Sequence, residues 1–332
     1  MGEAAATPPP DRRRACVTGF GHYLPEHAVS NAEISLRVDT SDEWITARTG
    51  IRQRYFSALH ETTAFMGSEA AKEALAAAGL EAEAVDAIIL ATATPDQAFP
   101  ASAVHVQAAL GAKHAFAFDI SAACSGFIYA LSVADGMIRA GQADTVLVIG
   151  SEVYSRILNF EDRGTCVLFG DGAGAVVLQA RQVPAAGPGI LSTHLHSDGA
   201  FADILYVDGA VGQRDRPGHL VMNGREVFRQ AVTLLSSAVT EALQANGLMP
   251  KDIDWLVPHQ ANLRIIDGVG KKLGLPPERV VVTVDQHANT SAASIPLALW
   301  QAVNDGRIKP GQLILLEALG GGLTWGSALI RL

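Results

Sequence analysis

Three residues could do chemistry together if the fold brings them to one place. They are Cys124 in Ala122-Ala-Cys124-Ser-Gly126, His259 in Leu256-Val-Pro-His-Gln-Ala-Asn262, and Asn289 in Asp285-Gln-His-Ala-Asn-Thr-Ser291. A thiol attacking a thioester or amide must be deprotonated, and a neutral imidazole can accept or share that proton. An asparagine can orient the ring or donate to a developing oxyanion. Gly320-Gly-Gly322 lets the backbone approach closely and can supply a further N–H. Each element alone has a plainer reading. A free cysteine among Ala and Phe is usually a small buried hydrophobe, a histidine after a strand is usually a hydrogen-bonded loop residue, and an Asn before Thr-Ser is usually a turn or cap. Two reaction classes fit the set: thiol hydrolysis, and acyl transfer to carbon through a thioester intermediate.

The elements that must position these residues can be read from periodicity. Residues 115–131 form an apolar strand, a turn of small residues and a helix, with Phe127, Ile128, Leu131, Ala134 and Ile138 at the three- and four-residue steps of one buried face. Cys124 therefore sits at a helix N-terminus, where free N–H groups and the helix dipole are expected to favour a thiolate and lower its pKa. His259 follows a strand expected over 253–257. Asn289 lies between a strand expected over 279–284 and a helix over 292–303. In open α/β sheets ligands gather at the carboxyl ends of strands, so the three loops are expected to share one mouth. Further strands are expected over 16–20, 85–92 and 144–150, and helices over 68–78 and 101–110. A short helix should carry Trp44, and a hairpin is expected from 167–169 and 174–178 around Gly170-Asp-Gly172.

The same order recurs in the second half. A helix over 231–245, closed by Gly247, precedes strand 253–257 as the helix closed by Gly79 precedes 85–92. Ile308-Lys-Pro-Gly-Gln312 pairs with Ile138-Arg-Ala-Gly-Gln142, and Gly320-Gly-Gly322 precedes 324–330 as Gly170-Asp-Gly172 precedes 174–178. This implies a duplicated α/β unit with layered sheets covered by helices. The expected division is a disordered tail over 1–14, one half over 15–182 holding the cysteine and another over 183–332 holding the histidine and asparagine, with a site between the halves.

Composition narrows the class. A net charge of -9 leaves no basic surplus for nucleic acid. Three cysteines with no Cys-x-x-Cys pair are not a disulfide framework and point to a reducing, cytoplasmic setting. Residues 1–14 lack the apolar run of a secretory signal, and no segment is apolar for long enough to span a bilayer.

The motifs also carry a family resemblance. Ala122-Ala-Cys124-Ser-Gly126, Pro258-His-Gln-Ala-Asn-Leu-Arg264, Asn289-Thr-Ser-Ala-Ala-Ser294 and Gly320-Gly-Gly-Leu-Thr-Trp-Gly326 resemble the ketoacyl-acyl carrier protein synthase III family of the thiolase superfamily. Thr40-Ser-Asp-Glu-Trp-Ile45, Arg48-Thr-Gly-Ile-Arg52, Asp162-Arg-Gly164 and Gly170-Asp-Gly-Ala-Gly174 extend the match over nearly everything after the tail. The resemblance implies a five-layered α-β-α-β-α thiolase-like fold, a homodimer, and decarboxylative condensation of an acyl-CoA primer with malonyl-acyl carrier protein. It implies an acyltransferase with no metal or redox cofactor, acyl-CoA being a substrate. The family usually has Gly where Ala288 stands, a change expected to be tolerated.

By the same resemblance, Cys124 takes the acyl group, and His259 and Asn289 hydrogen-bond the malonyl thioester oxygen. The N–H of Cys124 and one from Gly320, Gly321 or Gly322 hold the oxyanion. Trp44, Arg48, Arg163 and Asn262 bind CoA. Arg229, Arg264, Lys271 and Lys272 form a basic patch for the carrier protein. Phe99 reaches the partner subunit's acyl pocket, where a bulky ring suggests a short primer such as acetyl. A secondary-metabolite enzyme of the same fold is the nearer alternative. The order Cys, His, Asn also resembles papain-like proteases, but the Cys-Gly-Ser-Cys-Trp context is missing and those proteases are not duplicated. A ketosynthase-like binding protein without chemistry is disfavoured by the intact triad. His194 and His196 share a strand face without a clear third metal ligand, and Cys16 and Cys166 are expected in core strands.

Overall fold

The computed structural model describes residues 12–209 and 218–332. The first half comprises β1 (Arg12–Tyr23), β2 (His27–Ser30), α1 (Asn31–Ser35), α2 (Asp42–Thr49), β3 (Gln53–Phe56), α3 (Thr63–Ala78), β4 (Ala87–Ala91), α4 (Ser102–Leu110), β5 (Phe116–Ile120), α5 (Gly126–Arg139), β6 (Thr145–Glu152), α6 (Arg163–Cys166) and β7 (Gly172–Val183). The second comprises β8 (Gly189–Ser197), β9 (Leu205–Val207), β10 (Leu220–Met222), α7 (Gly224–Ala245), β11 (Trp255–Pro258), α8 (Leu263–Lys272), α9 (Val284–His287), α10 (Ser294–Asn304), β12 (Leu313–Gly320) and β13 (Thr324–Arg331).

Two main sheets have the orders β1-β7-β6-β4-β5 and β11-β12-β13-β8. Read from the other edge, the second follows the first strand for strand, with β8, β13, β12 and β11 in the places of β1, β7, β6 and β4. The alternation along β4 shows why both faces must be covered. Ala87, Ile89 and Ala91 join the core that contains α5 and α10, while Ile88 and Leu90 join the core against α3 and α4. On the second sheet, Ile314 and Leu316 of β12 face that same central layer, and Leu313, Leu315 and Leu319 face α7 and α8. The stack is therefore helix, sheet, helix, sheet, helix, the five-layered thiolase-like arrangement. The layers approach closely: a Cβ on Gly150 of β6 would stand 2.3 Å from the Ala292 carbonyl oxygen of the other half, so only glycine fits there.

Several boundaries differ from the sequence expectation. Residues 1–11 of the expected tail lie outside the described residues, but Arg12, Arg13 and Arg14 belong to β1 and pair with Val183, Gln182 and Arg181. Arg14 is buried because its guanidinium donates to the carbonyls of Gly187 and Ala185. The hairpin around Gly170 does not form. β7 instead pairs with β1 and β6, and Cys166 ends the short helix α6 rather than lying in a strand, although it is buried. The expected strand over 279–284 is reduced to one bridge, Leu256 to Val280. There the Gln260 carboxamide replaces the ladder. It donates to the carbonyls of Pro258 (2.8 Å) and Val281 (3.1 Å) and accepts from the N–H groups of Thr283 (2.8 Å) and Val284 (3.1 Å).

Candidate active site

Cys124 lies in a 3-10 turn, Ala123–Ser125, that runs directly into α5. The turn is tight enough to hold Ala123 at φ +46°, and Cys124 is 4% exposed. The Ser125 hydroxyl lies 2.8 Å from the Ala122 carbonyl and 2.8 Å from the Thr324 hydroxyl, tying this turn to the start of β13. The glycine run packs against it. A Cβ on Gly320 would stand 2.6 Å from the Cys124 nitrogen, while Gly321 and Gly322 line a cavity beside the thiol. The expected fall in the Cys124 pKa is reversed. Burial pushes the thiol up to about 12, the Ser291 hydroxyl opposes this, and the Glu152 carboxylate adds to it. Desolvation is thus the largest influence on the thiol.

His259 follows the last residue of β11, and its N–H donates to the Glu317 carbonyl at 2.8 Å, the bond that closes the last pair of the β11–β12 ladder, Pro258 with Glu317. Its Nδ1 lies 2.6 Å from the Ser294 hydroxyl. Burial drives its pKa down to about 3, so the ring is neutral at neutral pH. Asn289 is clamped by the segment expected to be a hairpin arm. Its N–H donates to the Leu168 carbonyl and its own carbonyl accepts from Gly170, both at 3.0 Å. The Asn289 Oδ1 accepts from the Ser291 N–H at 2.9 Å, leaving Nδ2 as the donor for the cavity it lines. Cys124, His259 and Asn289 line one cavity of about 630 Å³, so the three loops do share a mouth.

Sequence reasoning missed a polar cluster beneath the thiol. Glu152, at the end of β6, is fully buried and accepts from the hydroxyls of Thr94 (2.5 Å) and Thr92 (3.1 Å) and the N–H of Ala93 (3.1 Å). Burial raises its pKa to about 7, against the pull of these donors. Ser291, at φ +50°, is fully buried with no hydrogen bond of normal geometry at its hydroxyl. It nevertheless lies close enough to Cys124, Glu152 and Tyr154 to favour their ionised forms. Tyr154 stacks on Phe169 with ring centroids 4.9 Å apart. In the sequence Glu152 stands just past the strand expected over 144–150, and only its full burial reveals the cluster.

Trp44, Arg48, Asn262 and Arg264 line the larger cavity with the triad. The guanidiniums of Arg48 and Arg163 sit over the Trp44 ring, 4.3 and 4.8 Å from its centroid. Asn262 caps α8 by accepting from the Arg264 N–H and also donates to the Arg48 carbonyl. Arg225 and Phe228 line the same mouth and were not anticipated, and Arg264 lies over the Phe228 ring at 5.8 Å. Arg229 is ion-paired with Glu226, and Lys271 and Lys272 occupy the last turn of α8, away from the cavity lining. A second cavity of about 340 Å³ opens beside Cys124 between Ala93, Tyr154, Phe169, Leu205 and Leu220. Phe99 lines neither cavity and is 84% exposed. His194 and His196 both face Glu241, at 3.3 and 2.6 Å. Among the described residues no group of three His, Cys, Asp or Glu is placed to hold a metal ion, and no helix is long and apolar enough to cross a membrane.

Residues 118–199 match the family model described as 3-oxoacyl-[acyl-carrier-protein] synthase III, and residues 243–332 match the model of its C-terminal part. The beta-ketoacyl-[acyl-carrier-protein] synthase III of Acidiphilium cryptum (strain JF-5) is 68% identical over 96% of this chain and 99% of its own length. Among solved structures, the 3-oxoacyl-[acyl-carrier-protein] synthase III of Aquifex aeolicus VF5 superimposes with a TM-score of 0.90 at 48% identity, covering 96% of this chain and 100% of that one. The priming beta-ketosynthase of the R1128 polyketide biosynthetic pathway superimposes with a TM-score of 0.91 at 38% identity, over 98% and 99% of the two chains.

Proposed function

The chain belongs to the 3-oxoacyl-[acyl-carrier-protein] synthase III family and is an acyltransferase of thiolase-like fold, and we propose that it condenses an acyl-CoA primer with malonyl-acyl carrier protein through an acyl-Cys124 intermediate. The observation that carries this reading is one cavity holding Cys124, a neutral His259 and the amide of Asn289. In the first half-reaction the Cys124 sulfur attacks the thioester carbon of acyl-CoA. The carbon–sulfur bond to CoA breaks, and CoA leaves with the proton given up by the thiol. The N–H of Cys124 and one from the Gly320–Gly322 run hold the oxyanion. The acyl chain lies in the smaller cavity, and Trp44, Arg48, Arg163 and Asn262 hold the CoA end.

In the second half-reaction malonyl-acyl carrier protein occupies the larger cavity. Carbon dioxide leaves, and the electron pair of the broken bond forms an enolate whose oxygen accepts hydrogen bonds from His259 and Asn289. The enolate carbon attacks the acyl-Cys124 carbonyl, the bond to sulfur breaks with its electron pair on Cys124, which takes a proton from solvent to become the thiol again, and 3-oxoacyl-carrier protein departs. These residues supply charge placement, and the loss of carbon dioxide supplies the driving force. The carrier protein docks on Arg264 at the mouth, with Arg229, Lys271 and Lys272 extending the basic face.

The working unit is a homodimer joined along β5, an edge strand whose Phe116 is 44% exposed. Phe99 then closes the smaller cavity of the partner subunit and favours a short primer such as acetyl. The two halves, 15–182 and 183–332, each contribute one wall of the site. With Cys16, Cys124 and Cys166 all unpaired, we place the protein in the reducing cytoplasm, initiating fatty acid synthesis. The 38% identity to a priming beta-ketosynthase supports a second reading, the same chemistry in a secondary-metabolite pathway.

Intact-mass measurement after mixing with acyl-CoA thioesters of increasing length tests the assignment. An acyl mass gain that Cys124→Ala lacks, discharged by malonyl-acyl carrier protein as 3-oxoacyl product, is expected. Equal acylation of Cys124→Ala overturns the proposed intermediate, and peptide cleavage would move the protein to the hydrolase class.

A further inference from the structure

His259 is neutral in its buried site, so a single proton is shared between its two ring nitrogens, and the nitrogen that holds it decides whether the ring donates to substrate or accepts from it. Nδ1 lies 2.6 Å from the Ser294 hydroxyl, which leaves Nε2 as the ring nitrogen available to the cavity that His259 lines with Cys124 and Asn289. The Ser294 oxygen also accepts from the Gln260 N–H at 3.3 Å. That bond uses only a lone pair of the hydroxyl, so its proton can still be donated, and Nδ1 is the acceptor placed at hydrogen-bond distance. Ser294 is 2% exposed, so a hydroxyl proton without an acceptor there would be buried and unsatisfied.

We infer that Ser294 is the positioning residue that makes His259 a hydrogen-bond donor, by giving its hydroxyl proton to Nδ1 and so holding the ring proton on Nε2. The opposite tautomer would point a lone pair at the substrate oxygen and strand the Ser294 proton. Asn289 is arranged to the same end, because the Ser291 N–H occupies its Oδ1 and turns the amide donor toward the cavity. Two neutral donors aimed at one oxygen suit a thioester becoming an enolate. Ser294 is the first residue of α10, and Gln260, whose N–H donates to the Ser294 oxygen, is fastened by four hydrogen bonds of its side chain, so the hydroxyl and its donor are both held in place.

This inference rests on the reading that His259 serves the malonyl thioester, and the test separates the two. In protein with 15N-labelled histidine, the ring nitrogens of His259, assigned by their loss in His259→Ala, are expected to show a protonated Nε2 and an unprotonated Nδ1. Ser294→Ala should raise the Nδ1-protonated population and slow decarboxylation of malonyl-acyl carrier protein between about 10- and 100-fold. Acyl loading of Cys124, which does not use the Nε2 donor, should stay within about twofold of wild type and also report that the variant is folded. Ser294→Thr keeps the hydroxyl and should recover both the tautomer and the rate. A protonated Nδ1 in the wild type overturns the inference, as does Ser294→Ala with an unchanged tautomer and rate. Wild-type protein with the expected tautomer but no malonyl decarboxylation would overturn the functional reading and leave the assignment of Ser294 to the tautomer standing.

Discussion

The turn that carries Cys124 and the turn that carries Asn289 occupy matching places in the two halves, and they differ in what holds them. Both put a non-glycine residue at positive φ directly before the functional residue, Ala123 at +46° and Ala288 at +57°. Both pass through a 3-10 turn, Ala123–Ser125 and Ser291–Ala293, into a helix of the central layer. The first is the continuation of β5, which pairs in parallel with β4 over five residues. The second follows a segment with one bridge to its neighbour, and its backbone is satisfied by the side chain of Gln260. One turn is hung from a sheet and the other from a carboxamide. The difference follows the proposed chemistry, since the first must present a nucleophile and oxyanion donors, while the second presents an amide beside the histidine that follows β11.

The largest effects should come from the residues the turns present, and they should fall on different half-reactions. Cys124→Ala is expected to abolish acylation, lowering overall condensation by about 10⁴-fold or more. His259→Ala and Asn289→Ala are expected to keep acyl loading while losing about 10²- to 10³-fold in malonyl decarboxylation, read as carbon dioxide release. Loss of acyl loading in Asn289→Ala would mean that the two turns do not divide the labour.

Gln260 tests the suspension of the second turn. Truncating it to Ala leaves the N–H groups of Thr283 and Val284 and the carbonyls of Pro258 and Val281 in a buried site without their partner. A loss of about 3 kcal/mol in unfolding free energy is expected by denaturant titration. A change below about 0.5 kcal/mol would show that the backbone finds other partners. This residue also marks the limit of what a single sequence discloses. The strand and helix faces were legible because burial on one or both faces imposes a period, as in β4, α5 and β12. The cysteine, histidine and asparagine were legible only as a set, because each follows an expected strand end, the repeat puts Cys124 and Asn289 in matching turns, and the family motifs surround all three. Gln260, Ser294, Ser291 and Glu152 are ordinary polar residues whose meaning lies in partners as distant as the other half of the chain. The segment 279–284 has the composition of a strand, and only the competing side-chain hydrogen bonds prevent it from forming one.

Glu152 joins the two turns, since it lies beneath Cys124 and near Ser291, and its titration should show in stability. Its folded pKa of about 7 lies above the ordinary 4.5, so the folded state holds a proton that the unfolded chain has released. That contribution is fully present below about pH 4.5 and is lost as pH rises through 7. Wild type should therefore lose stability relative to Glu152→Gln between about pH 5 and 8, measured as the difference in denaturant midpoints. Glu317, raised by burial to about 8, titrates in both proteins and cancels from that difference. A difference that is flat with pH would show that Glu152 stays ionised in the fold and that the thiol above it faces a permanent negative charge.

The smallest effect concerns the backbone before Asn289. Ala288 combines φ +57° with ψ -158°, a region populated almost only by glycine, and holding a side chain there costs about 1–3 kcal/mol. Ala288→Gly removes that strain. Against it stand about 0.4–1 kcal/mol for the added freedom of the unfolded chain and about 0.8 kcal/mol for the buried methyl, which packs in the same cluster as Ile45, Ile51 and Phe169. Central values leave a net stabilisation of about 0.5 kcal/mol, readable as a higher denaturant midpoint. Ala123→Gly is the control from the other turn: a left-handed non-glycine residue costs about 1–2 kcal/mol, so its net change should lie nearer zero. A fall in midpoint for Ala288→Gly larger than the methyl's share would mean that the alanine sits there without strain. The second turn would then owe its shape to Gln260 and the Leu168–Gly170 clamp alone, and the parallel with the strained turn before Cys124 would be one of position rather than of mechanics.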